Sequence, residues 1–166
     1  MYTIGDKMVY PLHGAGVIEA IEEKEVLGEI SSYYIMRLSY NNMRVIFPVS
    51  SNAADSVRDV ISSDEADKVI EHFKEFHEEF ISNWNRRYRN NIVHIKSGNI
   101  YEVAQVVKML MLRDKTKGLS SGERKMFANA KQILISELVL AKNVSQEYIE
   151  NMLSSIVDEL IENQPV

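Results

Sequence analysis

The chain has no cysteine, one tryptophan and no long apolar run. Without cysteine there is neither a disulfide framework nor a thiolate metal site, which suits a reducing compartment. Nothing approaches the ~20 consecutive apolar residues of a membrane span. The start of the chain, with Asp6 early, lacks the basic-then-apolar pattern of a secretory signal. A soluble cytoplasmic protein without a membrane partner is expected. Catalytic patterns are equally scarce: His72 and His77 lie five apart, which is neither the H-E-x-x-H spacing nor a helical i, i+4 pair of ligands. His13 stands beside glycines, but no Ser/His/Asp or Cys/His set accompanies it, and Gly14-Ala15-Gly16 is too short a run to cradle a phosphate. We therefore expect no catalytic residue, no metal and no cofactor. Internal repeats and low-complexity tracts are also absent.

What the chain does have is charge arranged in blocks. Residues 1–83 hold seven Lys/Arg against fifteen Asp/Glu, residues 84–131 eleven against three, and residues 132–166 one against six. The blocks carry −8, +8 and −5. A net charge of −5 does not by itself suggest a nucleic-acid partner, but a phosphate backbone responds to charge within roughly 10 Å. The middle block is a basic footprint. At its edge lies Asn83-Trp84-Asn85-Arg86-Arg87-Tyr88-Arg89, which sets the single tryptophan among three arginines, directly after the acidic stretch His72 to Glu79.

With 166 residues, 45% of them hydrophobic, the chain can bury a core in one domain or two small ones. From Tyr2 to Val49 the pattern is β. Lys7 to Tyr10 is a short strand ended by Pro11, His13-Gly14-Ala15-Gly16 reads as a loop, and Val17 to Glu22, Ile30 to Leu38 and Met43 to Phe47 follow as strands. Turns at Gly28 and Asn41-Asn42 separate them. Four or five short strands bury a face only by curling into a small antiparallel barrel or a strongly bent sheet. From Ser62 the period changes to 3.6. Ser62 to Glu65 resembles a capping box, with a helix to about Ile81 on Ala66, Val69, Ile70, Phe73, Phe76 and Phe80. Further helices are expected over Trp84–Ile95, Ile100–Arg113, from the Ser120/Glu123 capping box to about Ala141, and after Ser145. The expected class is α+β: a small Tudor-like or SH3-like β module at 1–52, a connector at 53–62 and an all-α domain of about five helices at 63–166.

Trp84 shares a helical stripe with Tyr88 and Ile92, so it can be read as a core residue or as an indole projecting between cations. Arg86, Arg87 and Arg89 spread around the first turns of its helix, as in minor-groove binders that pair cations with an apolar wedge. Alternatively, the arginines form a solvated face paired with Glu75, Glu78 and Glu79. Lys108, Arg113, Lys115, Lys117, Arg124 and Lys125 continue the positive field, and Ser120-Ser121-Gly122 offers either a helix cap or a phosphate site. In the last strand Met43, Val45 and Phe47 share one face while Arg44 and Ile46 share the other. An exposed Ile46 beside Arg44 near a sheet edge is a docking surface or a scattered surface residue.

Together the motifs Val9-Tyr10-Pro11, His13-Gly14-Ala15-Gly16, Asn83 to Arg89, Ser97-Gly98-Asn99 and Gly118-Leu119-Ser120-Ser121-Gly122-Glu123-Arg124-Lys125, followed by Ala130 to Leu134, resemble bacterial RNA polymerase-binding transcription regulators of the CarD/CdnL family. The resemblance covers nearly the whole chain. It implies a Tudor-like domain that binds the RNA polymerase β subunit, and a helical domain that contacts promoter DNA near the upstream edge of the melted region. It further implies that Trp84 acts as a minor-groove wedge, that Arg86, Arg87 and Arg89 contact the backbone, and that the open complex is stabilised, for example at ribosomal RNA promoters. Polymerase contacts carry over to Lys24, Arg44, Ile46 and Pro48. Members of the family often have a basic residue where this chain has Ile46, with Arg44 on the same face. The partners expected are thus polymerase and promoter DNA read largely without regard to sequence, for a monomer associated with the nucleoid through polymerase. The alternatives are a non-enzymatic protein-interaction adaptor with Trp84 as its hot spot, or an RNA-binding module in which Trp84 stacks on an unpaired base.

Overall fold

A computed structural model describes residues 2–10, 12–50, 57–77 and 83–163. Five antiparallel strands come first: β1 (Lys7–Tyr10), β2 (Gly14–Val26), β3 (Glu29–Leu38), β4 (Arg44–Pro48) and β5 (Arg58–Asp59). They form one sheet in the order β4-β3-β2-β1-β5, which leaves β4 at an edge. Among the described residues five helices follow: α1 (Ser63–Glu75), α2 (Trp84–Lys96), α3 (Ile100–Thr116), α4 (Ser121–Lys142) and α5 (Gln146–Asn163). Among the described residues no helix is long and apolar enough to cross a membrane.

The turns use positive φ, which glycine and asparagine tolerate and Leu27 adopts at some cost. Leu27 and Gly28 both adopt it between β2 and β3, and Asn41 and Asn42 both adopt it before β4, so both turns match the right-handed twist of their strands. Between Ile18 and Ala20 the β2–β3 register slips, which leaves Glu19 as an extra residue and bends the sheet. The sheet core is Met8, Ile18, Tyr34, Met36, Leu38 and Phe47, with Tyr10 stacked on Phe47 at 4.4 Å. A separate helical core is built from Phe73, Val103, Val107, Leu110, Leu134, Leu138, Leu153 and Val157 among others. The expected caps are in place, Ser62, Ser120 and Ser145 each accepting a backbone N–H three residues on.

Three expectations need correction. The presumed connector supplies the fifth strand, since Arg58 and Asp59 pair with Val9 and Met8. The glycine segment is not a loop but the start of β2. Gly14 has φ +123°, and a Cβ there would collide with Ser136 Oγ; a Cβ on Gly16 would collide with the Arg37 carbonyl. These glycines serve close approach, one to a helix and one to a neighbouring strand. Helix α1 ends at Glu75, six residues short of the expected end, because the Lys108 ammonium caps the carbonyls of Lys74 and Phe76 at 2.9 and 2.5 Å. Pro11, Phe80 and Ile81, also invoked above, lie outside the described residues.

The sheet and helices meet along α4. The Ala15 N–H donates to Ser136 Oγ at 2.8 Å, and the Gln132 amide donates to the His13 carbonyl at 2.7 Å. Glu137, fully buried, receives both terminal nitrogens of Arg58 at 2.7 Å and the Ile61 N–H at 3.0 Å. At the next corner Gln146 exchanges hydrogen bonds with the backbone and side chain of Asn41.

Candidate nucleic-acid interface

Asn83 starts α2 by accepting the Arg86 N–H at 3.0 Å, and this puts Trp84 at the first helical position. Down the stripe Trp84, Tyr88, Ile92, Ile95, burial rises from the surface to the core. Trp84 keeps 42% of its area exposed, whereas Ile95 is buried. The indole is anchored at the same time. Its ring stacks on Tyr88 with centroids 5.0 Å apart and planes 17° from parallel, and its Nε1–H donates to Ser120 Oγ at 3.1 Å. Gly122 lies against both rings: a Cβ there would sit 3.5 Å from Tyr88 and 3.8 Å from Trp84. The two alternatives for Trp84 thus combine, in a side chain half held and half offered.

The cations divide. Arg86 and Arg89 are exposed on α2, and Arg124 and Lys125 are exposed on the first turn of α4. The Trp84–Ser120 bond ties these two helix starts together. Arg87 turns the other way, its Nε 3.0 Å from the buried carboxylate of Glu123. Arg113 also faces Glu123, at 3.9 Å. Lys108 is buried beneath the end of α1, which removes it from the positive field, and Lys115 binds Asp158 at 2.7 Å and Ser154 at 2.6 Å. Glu78 and Glu79, the suggested partners of the arginines, lie outside the described residues. The Ser120 hydroxyl caps α4 and donates to Glu123 Oε1 at 3.1 Å. Burial pushes the Glu123 carboxyl up, but hydrogen bonds and charge from Arg87, with bonds from Ser120, outweigh it and hold the group below the usual carboxylate range. Among the described residues no three His, Cys, Asp or Glu side chains gather to hold a metal ion.

At the far side of the sheet, edge strand β4 presents Ile46 outward, 47% exposed, with Phe47 buried behind it. Arg44 is half exposed and lies 3.6 Å from Glu19, which also pairs with Arg37 at 3.0 Å. The bulge that singles out Glu19 therefore sets the acid beside two arginines. Met43, expected on the inner face, precedes β4 and is exposed, because the strand starts one residue later. Pro48 pairs with Tyr33, and Lys24 is opposite Ser31, so both lie toward the same end of the sheet. The reading of the sequence placed Glu123 in a capping box with Ser120 but not as the partner of Arg87, and it missed Ser136 and Glu137 as organising residues. An acid or serine in the middle of an otherwise apolar helix face was the available signal for the last two.

Residues 2–61 match the model of the CarD-like/TRCF RID domain, and residues 68–154 match the model of the CarD C-terminal domain. The chain belongs to the CarD family. It is 41% identical over 151 residues to the Bacillus subtilis (strain 168) protein YdeB, which carries the name of a transcription factor; the match spans 91% of this chain and 99% of YdeB. The CarD family is one of transcription factors rather than enzymes, and membership implies an interaction with RNA polymerase. Strand β5 falls inside the first matched domain, in keeping with its place in the sheet.

Proposed function

We propose that this CarD-family protein docks on the RNA polymerase β subunit through Arg44, Ile46 and Pro48 of β4 and Lys24 of β2, and sets Trp84 into the minor groove of promoter DNA. The observation that carries the reading is the position of Trp84, 42% exposed at the start of a helix that bears exposed Arg86 and Arg89 and bonded to the start of a second that bears exposed Arg124 and Lys125. Cations of this kind hold a phosphate backbone in register while an apolar side chain enters a base step. Docking on polymerase raises the local concentration of the helical module at the promoter, so a weak, sequence-independent DNA contact suffices and an acidic protein can work on DNA. The indole enters a distorted junction more readily than a regular duplex, and a ligand shifts an equilibrium by its differential affinity. A preference of about 1.4 kcal/mol changes the ratio of open to closed complex tenfold.

The test is the lifetime of open complexes formed by the cognate polymerase on a ribosomal promoter, with wild type and with Trp84→Ala. Wild type should prolong the lifetime, and the variant should bind polymerase without prolonging it. Equal lifetimes would sink the wedge and move the function to the cations or the β module.

A further inference from the structure

Arg87 sits in the middle of the arginine run yet faces the interior, and its partners form a continuous chain that ends on the indole. Its Nε donates to Glu123 Oε2 at 3.0 Å, and Ser120 Oγ donates to Glu123 Oε1 at 3.1 Å. Ser120 Oγ also accepts the Glu123 N–H at 3.2 Å and the Trp84 indole N–H at 3.1 Å. A serine hydroxyl offers one donor and two acceptor sites, and all three are used. Its orientation is therefore fixed by the carboxylate, and the carboxylate by the guanidinium. The indole in turn has one fixed acceptor at its edge and Tyr88 against its face. These two contacts constrain both side-chain torsions of Trp84.

We infer that Arg87, Glu123 and Ser120 are positioning residues that hold Trp84 in its working orientation before DNA arrives, and that Arg87 is not a phosphate ligand. The inference rests on the reading of Trp84 as the wedge. It separates residues that look alike in sequence: Arg86 and Arg89 face solvent, whereas the Arg87 side chain is only 13% exposed and its carboxylate partner 2%. Preorganisation matters here because a wedge that is already ordered loses less entropy on insertion.

Two measurements test this. The first uses the single tryptophan. In protein labelled with 15N at tryptophan, the indole gives one resonance, whose relaxation and hydrogen exchange report order at Nε1. Ser120→Ala should loosen the indole and speed its exchange, and should shorten the open-complex lifetime by about 2- to 10-fold, the value of one hydrogen bond. Ser120→Thr, which keeps the hydroxyl, should restore both. The second uses salt. On a forked DNA duplex, Arg86→Ala and Arg124→Ala should each lower the slope of log affinity against log salt by about 1, as loss of a phosphate contact does. Arg87→Lys should weaken binding with the slope unchanged, since it keeps the charge but loses the fork, and Arg87→Met should do the same if it folds.

A slope reduced by about 1 in Arg87→Met would return Arg87 to the phosphate contacts and overturn the inference. So would an indole equally ordered in Ser120→Ala, even where Trp84→Ala confirms the wedge. If instead Trp84→Ala leaves the open-complex lifetime unchanged, the wedge itself fails and the positioning role with it.

Discussion

Arg58→Ala is the sharpest test of how the two modules are joined. Glu137 is fully buried, and among the described residues two of its three hydrogen-bond donors are nitrogens of Arg58. Removing the arginine leaves a carboxylate with one backbone donor in a site that does not readily solvate it. Breaking a buried pair from one side costs about 3–5 kcal/mol. The Arg58 side chain is 35% exposed, so water can enter the space it vacates, which favours the lower end, about 3 kcal/mol. For a chain of this length that is a fall in Tm of about 6–12 °C. Far-UV circular dichroism would follow the whole molecule, and Trp84 fluorescence the helical module. The double variant Arg58→Met/Glu137→Met removes the orphan charge together with its partner. It should therefore recover at least about 1 kcal/mol of the loss, although the Ile61 N–H still lacks its acceptor. A double variant as unstable as the single one would refute the reasoning, because the cost would then come from lost packing and not from a stranded charge.

Other outcomes follow from the same geometry. Gly14→Ala should cost about 1–3 kcal/mol, visible as a lowered urea midpoint, since the new Cβ meets Ser136 and the backbone has positive φ; an unchanged midpoint would contradict the close approach. Ile46→Glu should alter Tm little, within about 0.5 kcal/mol of stability, yet weaken binding to the polymerase β subunit at least about tenfold; equal binding would remove β4 from the docking surface. Glu123 has a folded pKa held below its unfolded value, so its stabilising effect is present above the ordinary glutamate pKa of about 4.3 and is lost as pH falls through the lower, folded value. Trp84 fluorescence should thus stay flat from neutral pH to about 4.3 and change only below it; a transition centred above that value would be inconsistent with the pairing to Arg87.

Helix positions were legible because the apolar residues of α3 and α5 repeat cleanly, and because Ser120 and Ser145 have the chemistry of caps. The alternation of β4 gave Phe47 inward and Ile46 outward for the same reason. What sequence could not supply was long-range pairing. Arg58 and Glu137 are 79 positions apart, and nothing local marks either as half of a pair. Gly14 and Gly16 look like loop residues until the atoms that crowd them are known. Lys108 counts as charge in any tally, but its long stem crosses the core to reach carbonyls. Phe76 continues the 3.6 period of α1 although the helix has ended, because periodicity records which side chains are buried and not how the backbone is capped.

Glu123 and Glu137 stand fourteen residues apart on α4, four turns and about 21 Å along a single rigid rod. Each receives an arginine from another element, Arg87 at the end that carries the indole and Arg58 at the sheet. Fourteen residues advance the helix by nearly a whole number of turns, so the two carboxylates lie within about 40° of one face. The rod therefore has a phase as well as a length. One residue inserted between them would lengthen the reach by only about 1.5 Å but would turn one joint against the other by about 100°. Adding or deleting a single residue in this segment would therefore rotate the Arg87 joint and the indole it supports against the sheet, whatever side chain the added residue carried.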